Sequence, residues 1–228
     1  MSLLSICQNV TAMNGFTSPS QIAQGTGKDA RQLFALAKQA LRNVSKFFDW
    51  PHLTVEHTIT TVDGQERYPF PSDFEKVISP SFYNLSQYYR VRGSASPGEW
   101  QRRKNGLLAS IYRYNYRLYY ASSEFGITPT PTTADNLVCE YISTNHARSA
   151  DATETFAAYE QDDHVAIVPE HMVELDLNWR FRRAKGLDYS AEIVEFNSLI
   201  AAEFSKVYDA GDIPVGGYTH IDPLTEGY

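Results

Sequence analysis

Arg67-Tyr-Pro-Phe-Pro-Ser-Asp-Phe74 stands where the chain changes its period. Before it, Leu53, Val55, His57 and Ile59 alternate with Thr54, Glu56, Thr58 and Thr60, the two-residue repeat of a half-buried strand. Asp63-Gly64 follows as a tight-turn signal, which predicts a hairpin from Leu53 to Phe70. On the return, Tyr68 and Phe70 share a face. Pro69 has no N–H for a ladder, so the strand is expected at a sheet edge. Pro71 fixes φ again, and Ser72-Asp73 bends the chain. Tyr68, Pro69, Pro71 and Asp73 therefore read as a rigid corner, the alternative being a loop that carries chemistry.

Upstream of the corner the period is 3.6. Leu3, Ile6, Val10 and Met13 repeat at helical spacing after Ser2, a residue suited to an N-cap, and Gly15 stops the run. A second helix is expected from Asp29 to Phe48, with Leu33, Ala37, Ala40, Val44 and Phe47 on one face. Trp50-Pro51 ends it, because a residue before proline disfavours the helical region. Downstream, strands are expected at Val77–Leu85, Tyr88–Arg92, Leu108–Tyr114, Arg117–Ala121 and Leu137–Ser143, with a short helix at Pro97 capped by Ser96. Thr128 to Asp135 reads as a stiff polar connection. After an irregular stretch from Asn145 to Val168, Pro169-Glu170 opens a helix through Met172, Leu175 and Trp179. Gly186 stops it, and Asp188 starts another that carries Ile193, Phe196 and Ile200 and runs to Gly211.

Helices, then strands, then helices predict an α+β fold. Residues 1–51 and 165–210 make a helical bundle, 52–164 an inserted antiparallel β module and 211–228 an extended C-terminal arm. Leu33, Val44, Phe47, Trp179, Phe196 and Ile200 are the expected bundle core.

Composition narrows the function. A net charge of −7 opposes a grip on nucleic acid through phosphates, which needs clustered lysine and arginine. The two cysteines, Cys7 and Cys139, lie far apart among apolar neighbours and read as buried free thiols. No apolar run approaches the ~18 residues of a membrane span, and the N-terminus lacks the basic region of a secretion signal. The expectation is a soluble protein of a reducing compartment.

The search for chemistry finds little. Glu160, Asp162, Asp163 and His164, with Glu170 and His171 nearby, could hold a divalent ion, yet their spacing matches no ligand pattern and Pro169 divides them. Gly25-Thr-Gly-Lys28 lacks the first glycine of a phosphate loop. No nucleophile elbow appears. Neither catalysis, a metal nor a cofactor is expected. The Arg180–Lys185 cluster could meet phosphates, but it equally suits a helix C-terminus. Tyrosine is the abundant functional material, with 15 residues concentrated mid-chain. Tyr112, Tyr114, Tyr116 and Tyr119 fall in an Arg/Tyr run suited to strand pairing or to a subunit or tail interface.

Asp49-Trp50, a Thr-rich segment and Gly64-Gln-Glu-Arg-Tyr-Pro-Phe-Pro-Ser-Asp-Phe74 together resemble the head-to-tail adaptor (connector) proteins of short-tailed bacteriophages. Further landmarks keep the same order: Pro97-x-Glu-Trp100, Thr130-Pro131 before Glu140-Tyr-Ile-Ser143, Pro169-Glu170 opening a helix to Trp179-Arg180, and Lys185-Gly-Leu-Asp-Tyr189. The segment Ser122 to Gly126 departs from the pattern as a longer connection.

The resemblance implies a structural virion protein at the head-tail junction, made in the host cytoplasm. It would form a twelvefold ring of its own copies beneath the portal protein. Genomic DNA would cross the bore without specific binding, and a tail nozzle or tail tube protein would dock below. Ile213, Val215, Tyr218, Ile221, Leu224 and Tyr228 of the arm would engage the portal, the arm being mobile before assembly. The rival reading is a nucleic-acid-binding or DNA-processing protein using Arg180–Lys185.

Overall fold

The computed structural model describes residues 1–106 and 113–207. The chain opens with α1 (Leu3–Met13) and α2 (Lys28–Ser45). A single helical turn, Pro51–Leu53, leads into β1 (Thr54–Thr60), β2 (Arg67–Pro69), β3 (Phe74–Val77), β4 (Tyr83–Asn84) and β5 (Tyr89–Arg90). Helix α3 (Pro97–Asn105) precedes β6 (Asn115–Tyr119), β7 (Glu124–Thr128) and β8 (Asn136–Ser143). Three short strands follow, β9 (Ala147–Arg148), β10 (Thr155–Phe156) and β11 (Val165–Ala166), and then α4 (Glu170–Ala184) and α5 (Ser190–Val207). The fold is α+β, as the order of periodicities implies.

The helices form where their termini are satisfied and their stripes find a partner. Ser2 Oγ accepts from the Ser5 N–H at 3.3 Å at the start of α1, and Ser96 does the same for Glu99 at the start of α3. Gly15 and Gly186, each at φ 73°, take the left-handed conformation that stops a helix. Leu3, Ile6 and Val10 of α1, Leu33, Ala37 and Val44 of α2, and Trp179, Phe196 and Ile200 of α4 and α5 close one core. Each large aliphatic buried there contributes about 1.5–3 kcal/mol. Trp50 is fully enclosed, and its Nε1–H donates to the Val44 carbonyl at 2.7 Å, fastening the end of α2 to the start of the β region.

Phe47 corrects the expected core. Helix α2 ends at Ser45, so Phe47 leaves the helical stripe; it is 52% exposed and meets Phe196 edge-on at the rim. Met13, the last residue of α1, is exposed as well.

The expected hairpin is also corrected. Asp63-Gly64 does turn the chain, with the Gln65 N–H donating to the Val62 carbonyl at 3.1 Å. Its two arms nevertheless enter different sheets. β1 pairs antiparallel with β8 through an unbroken register, His57 opposite Cys139, whereas β2 pairs with β7. The first sheet runs β1-β8-β4-β5 with β3 also on β8, and the second runs β2-β7-β6. A turn signal fixes a reversal but not the partner; here β8 buries Leu137, Cys139 and Tyr141, and β1 follows that apolar strand.

The stretch from Ser122 to Gly126, expected as connection, is largely β7, the central strand of its sheet, with Phe125 and Ile127 fully enclosed. Leu108–Tyr114 lies mostly outside the described residues. Between the sheets a second core gathers Phe70, Phe82, Tyr116, Phe125 and Leu137.

Ala147 and Tyr159, expected in the β module, pack in the helical core instead, together with Ala166. Backbone bonds explain this: the Leu3 N–H donates to the His164 carbonyl and the Leu4 N–H to that of Asp162, tying the segment to the start of α1. Cys7 and Cys139 are free and buried, and burial pushes each thiol up to about 12.

Candidate functional site

The corner is built from hydroxyls, rings and one carboxylate. The Val62 N–H donates to Tyr68 Oη at 2.9 Å, and the phenol donates to the Gln65 carbonyl at 3.0 Å, closing the turn before β2. Across the two prolines, Phe70 stacks flat on Phe74 with centroids 3.8 Å apart. Asp73 then accepts from the Tyr141 hydroxyl at 3.0 Å and the Ser143 hydroxyl at 2.6 Å, while its carbonyl takes the Thr144 N–H at 2.7 Å. Burial first, and then the Asp73 carboxylate, hold the Tyr141 phenol above its usual range. Two side-chain pairs, Lys46 with Glu75 and Lys76 with Asp49, link β3 to the end of α2. With its carboxylate taken up by two hydroxyl donors, the arrangement suits a joint between helical layer and β region.

The tyrosines divide by burial. Tyr114 and Tyr116 are core residues, not surface ones, which corrects their expected place at an interface. The Tyr114 phenol is pushed up to about 12, by burial first and then by Asp135. Tyr116 stacks on Phe82 at 4.6 Å, with its neighbours on β6 fixed by β7. Tyr119 is half-buried between the guanidinium groups of Arg67, 4.2 Å from its ring centroid, and Arg117. Under it lie Trp100 of α3 and Gly126, where an added Cβ would come within 3.0 Å of Tyr119 and 3.1 Å of Trp100. Tyr112 falls outside the described residues.

Exposed aromatics occur elsewhere in the same region. Tyr88 is 81% exposed at the tip between β4 and β5, beside the exposed Leu85, and Tyr120 is 68% exposed after β6. The doublets Tyr88-Tyr89 and Tyr119-Tyr120 carry the signal that reveals them: in each, one ring belongs to a strand and the other to the adjoining turn, Tyr88 at φ 56°. Tyr89 is buried and Tyr88 is not.

The Arg180–Lys185 cations are largely engaged within the chain. Arg180 holds the fully buried carboxylate of Asp176 at 2.5 Å, alongside the Trp179 and Asn43 side chains. Arg182 reaches Asn14, Glu192 and the Asp188 carbonyl, and Lys185 pairs with Asp29 at 2.7 Å. Arg183 lies over the Trp179 ring. The acidic loop is likewise structural in its contacts: Asp162 accepts from the Ile22 and Ala23 N–H groups, and His164, buried and stacked on Phe156, accepts from the Glu160 N–H. Among the described residues no group of three His, Cys, Asp or Glu side chains could hold a metal ion. No helix there is long and apolar enough to cross a membrane.

Residues 18–212 match the family model of the SU10 adaptor protein, a span that takes in α2, strands β1 to β11, α4 and α5. The chain belongs to the SU10 adaptor protein family. It is thus a phage adaptor, a structural protein of the virion. No curated protein matches the chain significantly. In this adaptor, Ile213, Val215, Tyr218, Ile221, Leu224 and Tyr228 lie outside the described residues.

Proposed function

We propose that this adaptor assembles with copies of itself into a twelvefold ring beneath the portal, continues the DNA channel and presents its lower face to a tail nozzle or tail tube protein. The family match over residues 18–212, which takes in the second core and all of the helical core but its α1 residues, carries this reading. Physical features support it. The joint at Tyr68–Asp73 sets the β region against the helices through ring stacking, hydroxyl bonds and ion pairs, as a load-transmitting subunit requires. The outward rings Tyr88 and Tyr120, with the half-buried Tyr119, are suited to subunit or tail contacts, where aromatic residues dominate binding energy. A net charge of −7 is in keeping with a bore that lets DNA slide, since dense cations would retain it through counterion release. The arm, residues 211–228, engages the portal through Ile213, Val215, Tyr218, Ile221, Leu224 and Tyr228.

The reading as a nucleic-acid-binding protein through Arg180–Lys185 has less support, because the cations it needs are engaged by Asp176, Glu192 and Asp29. Filter binding to duplex DNA at low and high salt, beside co-sedimentation with purified portal, separates the two. The adaptor reading expects portal co-sedimentation at both salts and weak DNA retention. Strong, salt-sensitive DNA retention without portal binding overturns it.

A further inference from the structure

One surface of this acidic chain is cationic. Lys38 and Arg42 on α2 and Lys46 at its C-cap follow one another at four-residue intervals, so their side chains share a face over ~12 Å of helix axis. They line a groove of 560 Å³ whose other walls are Gln39, Thr144, His146, Ala157 and Ala158. Like charges at this spacing repel unless something answers them. Lys46 has Glu75 at 3.1 Å, and the Lys38 ammonium lies over the Phe34 ring. Arg42 has no carboxylate partner among the described residues. Beneath them His146 is only 5% exposed, and its Nε2 makes no hydrogen bond within the chain. A cation in the last turn of a helix is ordinary. Three in a row over a buried imidazole whose Nε2 has no partner, in a groove with small-residue walls, make a seat for anions.

The chain itself supplies a fitting anion. Residues 208–228 contain Asp209, Asp212, Asp222 and Glu226 and no lysine or arginine. The described chain ends at Val207 of α5, whose Phe204 meets Phe48 edge-on at 5.6 Å, two residues past Lys46 of the groove. At ~3.3 Å per extended residue, five residues separate Asp212 from Val207 by at most roughly 16 Å, a span comparable with the ~12 Å from Lys38 to Lys46 along the helix axis. Duplex DNA is a poorer occupant. Its phosphates lie on a broad convex surface and would face a concave seat on a subunit of net charge −7.

We propose that the groove of Lys38, Arg42 and Lys46 receives the acidic C-terminal segment of the same chain, with Asp209 and Asp212 as its anchoring carboxylates. Before assembly the segment is then parked on its own subunit, in place of the freely mobile arm expected from its glycines and prolines. The portal would have to draw it off. That last clause rests on the portal reading; the groove contact does not.

Chymotryptic cleavage after Tyr218 in the dilute full-length protein, followed by mass spectrometry, tests the contact. Lys38→Glu with Arg42→Glu should speed cleavage ~5–10-fold, the scale of two exposed ion pairs. Arg90→Glu with Arg148→Glu, an equal change of net charge at exposed positions elsewhere, should leave it unchanged. Adding Asp209→Lys and Asp212→Lys to the reversed groove should restore protection. Equal cleavage in wild type and reversed groove overturns the proposal, as does protection that disappears on tenfold dilution, which would assign the segment to a second copy. Portal binding is read separately in a chain ending at Val207: retained affinity there would remove the arm from the portal reading and leave the groove result standing.

Discussion

Asp73 concentrates the joint's polar contacts in one side chain. Replacing it by alanine leaves the Tyr141 and Ser143 hydroxyls without their acceptor, and we expect a loss of roughly 2–4 kcal/mol in urea unfolding, with Asp73→Asn losing less because one oxygen remains. His146 gives the chain a pH dependence of definite sign. Burial, foremost, with help from Lys46 and Arg42, lowers its pKa below the ordinary 6.5, while Glu75 and a backbone bond to Ala157 oppose the shift. The unfolded chain therefore takes up a proton below about pH 6.5 that the folded chain refuses. The stability this preserves is complete above that pH and is lost as the pH falls toward the depressed folded value. Urea midpoints between pH 7.5 and 5.5 should fall in wild type and fall less in His146→Gln; equal slopes would show that the imidazole titrates freely. Single residues were legible in the sequence where local chemistry decides them, as at the Ser2 and Ser96 caps and the buried thiols. Phe47 was not, because its fate depends on a helix ending three residues earlier than the apolar repeat suggests.

Among the elements, β6 and β7 separate packing from contact. Tyr116→Ser removes a ring stacked inside the second core and should cost ~3–5 kcal/mol, the range for large-to-small core changes. Tyr88→Ser or Tyr120→Ser should change stability by less than about 0.5 kcal/mol while weakening assembly, since both rings face outward. Denaturant midpoints beside assembly yields distinguish the two classes, and a collapse of stability in Tyr120→Ser would move that ring into the core. Gly126→Val should cost ~1–3 kcal/mol by forcing Tyr119 and Trp100 apart, with α3 the helix displaced. Helices and the long strands β1 and β8 were readable from their periods. Strand partners were not: Asp63-Gly64 announces a reversal, and nothing local says that β1 will join β8, some eighty residues away, rather than β2. β7 was missed because its apolar residues interrupt a Ser/Gly-rich stretch that resembles a turn.

For the whole molecule, membership of the adaptor family was legible because the corner and the later landmarks keep their order along nearly the full chain, although no single motif is specific. The surface that completes the assembly was less legible, since burial within the subunit claims Tyr114 and Tyr116 and leaves other rings outside. A chain ending at Val207 keeps every described residue of both cores and should unfold with the wild-type midpoint while losing affinity for the portal. The claim that matters most is that this 25.8 kDa chain builds a ring on the portal. Multi-angle light scattering of the purified protein, alone and mixed with its cognate portal, measures that directly. The expected result is a complex whose added mass corresponds to one copy of this chain for each portal subunit. A mixture in which the portal keeps its own mass and the chain elutes separately would contradict it.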